Sequence, residues 1–232
     1  MQTTAEPPRR FRFTDTDGKG SWVTHYFGTI GAGDGSAPFP AVGTLHPVAF
    51  LVEMDPDRTL RPHFHTANQF QIFVRGSGAF AKKPLDGVSL HYADAYSPYG
   101  PIRSGADGLA YLTLRNGWDS GMQYMPEARA ELRAAQRKPR SAVIAPASDF
   151  EPAADGLCAV QRHVPPGAAL TGPDPAGGGG QFWVELPATR TPEVAWQPAV
   201  SIAFVAPHDA RRTVVAGSAG SDVFVLQFPR FA

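Results

Sequence analysis

The chain of 232 residues carries 21 Lys and Arg against 21 Asp and Glu, so its formal net charge is zero. This balance excludes the basic surface typical of nucleic-acid-binding and membrane-surface proteins, and we expect no nucleic acid and no membrane among its partners. No apolar stretch is long enough for a membrane span, the N-terminus lacks the apolar region of a secretory signal, and the single cysteine, Cys158, fits a reducing compartment. We therefore expect a cytoplasmic protein.

Short apolar runs separated by turn residues extend along the whole chain. Its 24 glycines and 23 prolines are typical of many short strands joined by turns. In chain order, the periodic apolar segments predict strands at 21–30, 47–54, 69–74, 88–93, 109–114, 159–164, 181–186, 200–205 and 221–228. One segment, 126–137, predicts a helix, because Pro126 suits a first helical position and good helix formers follow it. The predicted fold class is all-β.

The segment 61–76, RPHFHTANQFQIFVRG, contains the candidate metal ligands. One residue separates His63 from His65, so both imidazoles point to the same face of an extended strand. Gln69 lies an even number of residues farther on and joins that face if the strand continues without a bulge. Because neutral imidazole binds transition metals, we predict His63, His65 and Gln69 as ligands of a divalent ion such as Fe, Mn, Ni or Zn.

A second segment, SPYGPIRSG at 97–105, places Arg103 after a turn as a fourth convergent group. Together the two segments resemble the two motifs of the cupin superfamily of small β-barrels. The residues that match are His63, His65, Gly76, Pro98 and Gly100. Gln69 stands at the glutamate position of the first motif, and Arg103 stands at the histidine position of the second. The resemblance implies jelly-roll barrels and a homodimer, with two of the four metal-binding positions changed.

Arg103 gives this pocket a second chemical interpretation. A guanidinium has no acceptor atom and repels a divalent ion, but it binds a carboxylate or phosphate through two hydrogen bonds. We therefore expect a small anionic substrate. Its further contacts are predicted to be Gln71, Phe73, Tyr92 and Tyr111. An ion pair between Arg103 and Asp94 or Asp107 is the alternative, with Arg103 as part of the scaffold.

An internal repeat aligns residues 88–114 with residues 200–226 without a gap, and the same offset aligns Gln69 with Gln181. Shared register over both segments argues for two copies of one fold, hence a bicupin. The second copy has no histidine at the motif positions, so we predict a degenerate, structural half. The predicted domains are an N-terminal cupin barrel at 1–125, a helix and linker at 126–147, and a degenerate barrel at 148–232.

Three functions are open at this point. The first is a metal-dependent enzyme of the oxygenase or isomerase type that acts on a small anionic substrate in the N-terminal barrel. The second is a metal-free protein that binds a small anion, or a metal-free isomerase in which a histidine acts as general base. The third is a dimeric scaffold with a relict site. The sequence does not assign a catalytic residue.

Overall fold

A computed structural model describes residues 2–3, 8–14, 18–28, 30, 40–41, 43–85, 87–132, 140–144, 147, 149–187 and 200–231. The chain divides into two compact units, one formed by Pro7–Ala145 and the other by Pro146–Ala232 together with Met1–Glu6. Strands dominate both units, which confirms the all-β prediction. Within the described ranges, no helix is long and apolar enough to cross a membrane.

The strands of the described residues pair antiparallel with one another. They are β1 (Gln2–Thr3), β2 (Arg9–Thr14), β3 (Gly20–Phe27), β4 (Leu45–Met54), β5 (Thr59–Leu60), β6 (His63–Phe64), β7 (Gln69–Phe80), β8 (Lys83–Leu85), β9 (Ser89–Ala93), β10 (Ile102–Gly117), β11 (Gln123–Tyr124), β12 (Ser141–Ile144), β13 (Cys158–Val164), β14 (Ala169–Thr171), β15 (Gln181–Pro187), β16 (Ser201–Val205), β17 (Thr213–Val215) and β18 (Ser221–Gln227). Two short 3-10 helices lie at Glu127–Glu131 and Pro175–Gly177.

The first unit is built on a nine-stranded sheet in the order β12-β9-β7-β10-β4-β3-β2, with β5 also paired to β10 and β8 to β7. A separate two-stranded ribbon joins β6 to β11. Gly76 lies within β7 beside a register shift, has φ +79, and a Cβ there would collide with the carbonyl oxygen of Gly108. The core of this unit contains Val48, Phe50, Phe73, Phe80, Tyr99, Ile102 and Tyr111.

The second unit contains a five-stranded sheet in the order β1-β16-β15-β18-β13 and the pair β14-β17. Its core packs around Trp183, which is fully buried, with Val164, Val205, Val214 and Val225 in the same cluster. Cys158 is buried, and burial raises the pKa of its thiol, so it is a poor nucleophile.

The two units pair corresponding residues of the sequence repeat in the same strand register. In the first unit Gln69 pairs with Arg115, and Phe70 pairs with Leu114. In the second unit Gln181 pairs with Gln227, and Phe182 pairs with Leu226. These partners are related by the sequence offset that aligns residues 88–114 with 200–226. The same strand pairing, β7 with β10 and β15 with β18, is therefore built twice.

Each of the nine predicted strand segments forms a strand, and only its bounds differ. The predicted helix is different: a five-residue 3-10 helix spans Glu127–Glu131, and the backbone is extended at Leu132, with φ −63 and ψ 126. The physical reason is that this segment buries no side chain, and short helices need tertiary packing. Residues 133–139 of that prediction lie outside the described residues. Closure of the sheets into two barrels and the bounds 1–125, 126–147 and 148–232 stay predictions.

Candidate functional site

His63 and Tyr99 meet because their backbones form an isolated antiparallel bridge. His63 N donates to Tyr99 O at 3.1 Å, and Tyr99 N donates to His63 O at 3.0 Å. Directly opposed residues project their side chains to the same side of the pair, and the two ring centroids lie 4.6 Å apart. His65 follows at a ring-centroid distance of 5.1 Å from His63.

Gln69 and Arg115 join this cluster from the large sheet. They are opposed residues of β7 and β10, so their side chains share one face, and Arg115 Nε donates to Gln69 Oε1 at 3.2 Å. Asp119 follows β10 and accepts from Arg115 NH1 at 2.9 Å. All of these side chains are buried: the exposed fraction is 6% or less for His63, His65, Gln69, Tyr99, Arg115 and Asp119.

A single direction of proton donation runs through half of this cluster. Arg115 can only donate, so the oxygen of the Gln69 amide must face it and the amide NH2 must face Tyr99. The hydroxyl of Tyr99 accepts from Gln69 and donates to Nε2 of His63 at 3.0 Å. Nδ1 of His63 then donates to the carbonyl oxygen of Arg61 at 2.7 Å. The carbonyl oxygen of Arg61 can only accept, so it fixes the tautomer of His63, while Arg115 fixes the orientation of the Gln69 amide.

Asp119 organises the other half. Its carboxylate accepts from His65 Nδ1 at 2.8 Å, Thr66 N at 2.8 Å and Gly121 N at 3.0 Å, besides Arg115. Because the carboxylate can only accept when ionised, His65 carries its proton on Nδ1. A buried ion pair and a neutral imidazole are thus held side by side.

The guanidinium of Arg115 lies against the ring of His65 rather than at its edge. NH2 is 3.1 Å from Nδ1 and 3.1 Å from Nε2 of that ring. A nitrogen equidistant from both ring nitrogens cannot lie along the in-plane lone pair of either, so this is a cation–π contact.

The pKa shifts agree with this assignment of charge. Burial lowers the pKa of His63 to about 3, and burial with the nearby Arg115 lowers the pKa of His65. Burial alone would raise the pKa of Asp119, but Arg115 and His65 outweigh it, and the pKa is lowered. Burial raises the pKa of Tyr99. The cluster consists of one cation, one anion and neutral histidines at pH 7.

The predicted contacts Gln71, Phe73 and Tyr111 line the same face as Gln69. Gln71 Oε1 accepts from Nδ1 of His91, its opposed residue on β9, at 2.8 Å. Phe73 is opposed to Tyr111, with ring centroids 5.3 Å apart. His91 is fully buried, and its ring lies 4.8 Å from that of Tyr99, so it belongs to the polar wall.

Two predicted contacts lie elsewhere. Tyr92 is opposed to Phe70, on the other face of the sheet, and its hydroxyl donates to Asp94 at 2.7 Å. Arg103 is exposed, and its NH1 donates to the carbonyl oxygen of Ala81 at 3.3 Å. The reason is strand alternation: Ile102 takes the buried position in β10, which turns the next residue outward.

Three members of the cluster were not predicted as site residues: Tyr99, Arg115 and Asp119. Tyr99 lies in the segment 97–105 and is 6% exposed. Arg115 could have been found, because it continues the alternation from Tyr111 through Thr113 toward the predicted pocket. Asp119 has no such periodic signal, because it lies in a loop.

The surroundings of His63 and His65 decide whether a divalent ion fits this cluster. Both histidines have Nδ1 held by an acceptor, as metal-ligating histidines usually do. However, Tyr99 occupies Nε2 of His63, Gln69 Oε1 accepts from Arg115, and the guanidinium cation contacts His65. In the described part of the chain, no three His, Cys, Asp or Glu side chains form a metal-holding group. As arranged, these residues do not fit a divalent ion.

A surface cleft of about 500 Å³ adjoins the cluster. It is lined by Arg61, Gln123, Tyr124, Glu127, Ala128 and Glu131. Tyr124 pairs with His63 in the β6-β11 ribbon, and the two ring centroids lie 6.1 Å apart. Arg61 forms an exposed ion pair with Glu127 at 2.5 Å, which closes one side of the cleft.

No protein-family model and no curated protein match the sequence. Solved structures do match its fold. The pirin YhhW of Escherichia coli in complex with nickel(II) has a TM-score of 0.52 at 11% identity, over 95% of this chain and 96% of that one. GK1651 from Geobacillus kaustophilus has a TM-score of 0.51 at 10% identity, over 97% and 94%. A candidate dioxygenase from Nostoc punctiforme has a TM-score of 0.51 at 9% identity, over 99% and 82%.

These neighbours are cupin-type proteins, and at such low identity the likeness concerns the fold alone. The chain is therefore a β-rich protein with a cupin-like fold. Its distinguishing feature is a buried His-Tyr-Gln-Arg-Asp cluster in the unit Pro7–Ala145.

Proposed function

We propose that the unit Pro7–Ala145 is a metal-independent pocket that binds a small anionic molecule, and that Arg115 is its anchor. The observation that carries this proposal is the position of Arg115 NH2 on the ring face of His65, at 3.1 Å from both ring nitrogens. A buried guanidinium stabilises a carboxylate or phosphate oxygen strongly, because such hydrogen bonds are charge-assisted. Asp119 pairs with Arg115 at 2.9 Å and compensates its charge.

The surrounding side chains suit a small ligand with polar and apolar parts. His65 and Tyr99 each retain 6% of their surface and stand beside Arg115. Phe73 and Tyr111 supply an apolar wall farther along the same sheet face. Arg103 takes no part in this site. The proposed anion-binding residue is thus Arg115, in place of Arg103, which was predicted from the sequence.

The test is a thermal-shift and calorimetric screen of the full chain in the presence of EDTA. The probes are inorganic phosphate and mono-, di- and tricarboxylates of up to about six carbons, a size that small-molecule pockets accommodate. We expect at least one anion to bind, Arg115→Met to abolish that binding, and the control Arg103→Ala to retain it. Absence of any binding, or equal binding to Arg115→Met, would contradict the proposal.

A second candidate is a metal-dependent enzyme of the oxygenase or isomerase type. One observation favours it: carbonyl and carboxylate acceptors hold Nδ1 of His63 and His65, as in metal sites. It requires the side chains of Tyr99 and Arg115 to leave the positions described above. Elemental analysis of untreated protein separates the candidates, because this second function predicts close to one transition-metal ion per chain, lost in a His63→Ala/His65→Ala variant.

The two-copy architecture is also a proposal. We infer that the second unit arose as a copy whose polar positions became structural. Gln227, which corresponds to Arg115, bonds to Gln181 at 2.9 Å and to the carbonyl oxygen of Gly156 at 2.7 Å. A homodimer and a cytoplasmic location remain proposals that rest on the resemblance and on the composition.

A further inference from the structure

Arg115 stands among the groups that the sequence predicts as metal ligands. Its Nε contacts Gln69, and its NH2 contacts His65, while Tyr99 bridges Gln69 to His63. The guanidinium therefore contacts the amide oxygen of Gln69 and the imidazole of His65, two groups that an ion in this pocket would need as ligands. The other imidazole, that of His63, accepts from the hydroxyl of Tyr99. Arg115 holds this hydroxyl in place through Gln69.

Charge compensation gives an independent argument. Arg115 and Asp119 form a buried pair at 2.9 Å with side-chain exposures of 7% and 2%. Adding a divalent ion beside this pair would place three positive charges against one carboxylate in a buried site, which is strongly unfavourable. Removing the guanidinium reverses the balance, because Asp119 then lacks a cation.

The outer partners of the histidines would persist without Arg115. Nδ1 of His63 donates to the backbone of Arg61, and Nδ1 of His65 donates to Asp119. Asp119 also keeps the amides of Thr66 and Gly121 as donors. Such partners orient a histidine so that Nε2 is free for a metal.

We propose that the guanidinium of Arg115 occupies the cation position of this pocket, and that a neutral residue there converts His63, His65 and Gln69 into a transition-metal site. Arg115 is thus the residue that determines whether the pocket accepts metal. This inference does not depend on anion binding by the unmodified protein. Its readout is metal affinity, so it stands or fails separately from the proposed function.

The repeat supplies a structurally matched substitution. Gln227 occupies the position of Arg115 in the second unit and forms an amide–amide hydrogen bond with Gln181. Arg115→Gln would place the same pair opposite Gln69. The variant removes the charge and introduces the side chain that stands at the corresponding position of the β15-β18 pair in the second unit.

The experiment compares the full-length wild type with Arg115→Gln after dialysis against EDTA. Co²⁺ binding is followed by its visible absorption bands, and Zn²⁺ binding by calorimetry. We expect Arg115→Gln to bind each ion on the order of tenfold more tightly than the wild type, or better, which is the size of effect that outer ligand partners have. The double variant Arg115→Gln/His65→Gln should return to the wild-type level.

A folded Arg115→Gln variant that binds no more tightly than wild type would overturn the proposal. A gain that persists after His65→Gln would also overturn it, because the site would lie elsewhere. If Arg115→Gln does not fold without metal, Arg115→Met is measured in its place. Refolding of either variant on addition of Zn²⁺ supports the proposal, and failure of both to fold with or without metal counts against it.

Discussion

Nε2 of His63 lies 3.0 Å from the hydroxyl oxygen of Tyr99. Since Nδ1 donates to a backbone carbonyl, Nε2 carries the lone pair that a metal-ligating histidine would use. The hydroxyl of Tyr99 thus donates a hydrogen bond to the nitrogen of His63 that would coordinate a metal. The hydrogen bonds of this cluster are therefore ordered, and Arg115 sets the orientation of the Gln69 amide within them.

Tyr99→Phe should destabilise the first unit. The hydroxyl accepts from Gln69 and donates to His63, and its removal leaves two buried polar groups without this partner. We expect a loss of about 2–6 kcal/mol in the free energy of unfolding, since each of the two unsatisfied buried groups costs about 1–3 kcal/mol. Urea unfolding followed by circular dichroism measures the change.

Tyr26→Phe is the matched control. The hydroxyl of Tyr26 is buried and has no hydrogen-bond partner among the described residues. Its removal should change stability by less than about 0.5 kcal/mol or increase it, because no bond is lost. Equal losses for the two variants would show that hydroxyl removal alone, and not the His63 bond, sets the effect.

The ion pair between Arg115 and Asp119 should be strongly coupled. Asp119→Asn leaves a buried guanidinium without its anion, and the expected loss is about 3–5 kcal/mol. Arg115→Met in the same background removes the unpaired charge, so the double variant should be more stable than the sum of the single losses predicts. A double-mutant cycle in urea measures the coupling. Additive losses would contradict a functional pair at this position.

Much of the fold could be predicted because strand signals are local. Alternating apolar residues predicted nine segments that form strands, and the offset of the repeat relates the pair of Gln69 and Arg115 to the pair of Gln181 and Gln227. β2 and several short strands such as β5 and β8 were not predicted; five of the six residues of β2 are exposed, and only Phe11 and Phe13 in it are apolar. The segment 126–137 failed for a related reason: helix propensity was present, but no buried face stabilised a long helix.

Strand alternation predicted only part of the site. Gln69 and Gln71 share a face of β7 by strand alternation, whereas His63 and His65 reach Gln69 across the break between β6 and β7. Arg103 was assigned by its place in a motif, and the buried Ile102 turns it to the surface. Asp119 reaches His65 from a loop across a long sequence separation. Such contacts depend on tertiary packing, which spacing within a strand does not encode.

Arg103→Ala should be nearly neutral. Arg103 is exposed and makes one long hydrogen bond, from NH1 to Ala81 O at 3.3 Å. Surface substitutions of this kind usually change stability by less than about 0.5 kcal/mol, and we expect that result in urea unfolding. Arg115→Met, measured in parallel, should cost several times more, because Asp119 loses its cation. A large loss for Arg103→Ala would restore it as a site or scaffold residue.

The protein should lose stability as the pH falls from 7.5 to 5. Burial lowers the pKa of His63 and of His91 to about 3 from an ordinary value of 6.5, so each binds fewer protons when folded than when unfolded. Their contribution is complete above the unfolded pKa and is lost progressively below it. The lowered pKa of Asp119 acts in the same direction at more acid pH. At pH 5 each histidine should cost roughly 2 kcal/mol.

His91→Gln tests this assignment, because a glutamine can still donate to Gln71 but does not titrate. The variant should lose roughly 2 kcal/mol less than wild type between pH 7.5 and pH 5, measured as the difference in the free energy of urea unfolding. The difference between the two proteins isolates His91 from every other titrating group. If wild type and His91→Gln lose stability equally over this interval, the buried histidine is not held neutral.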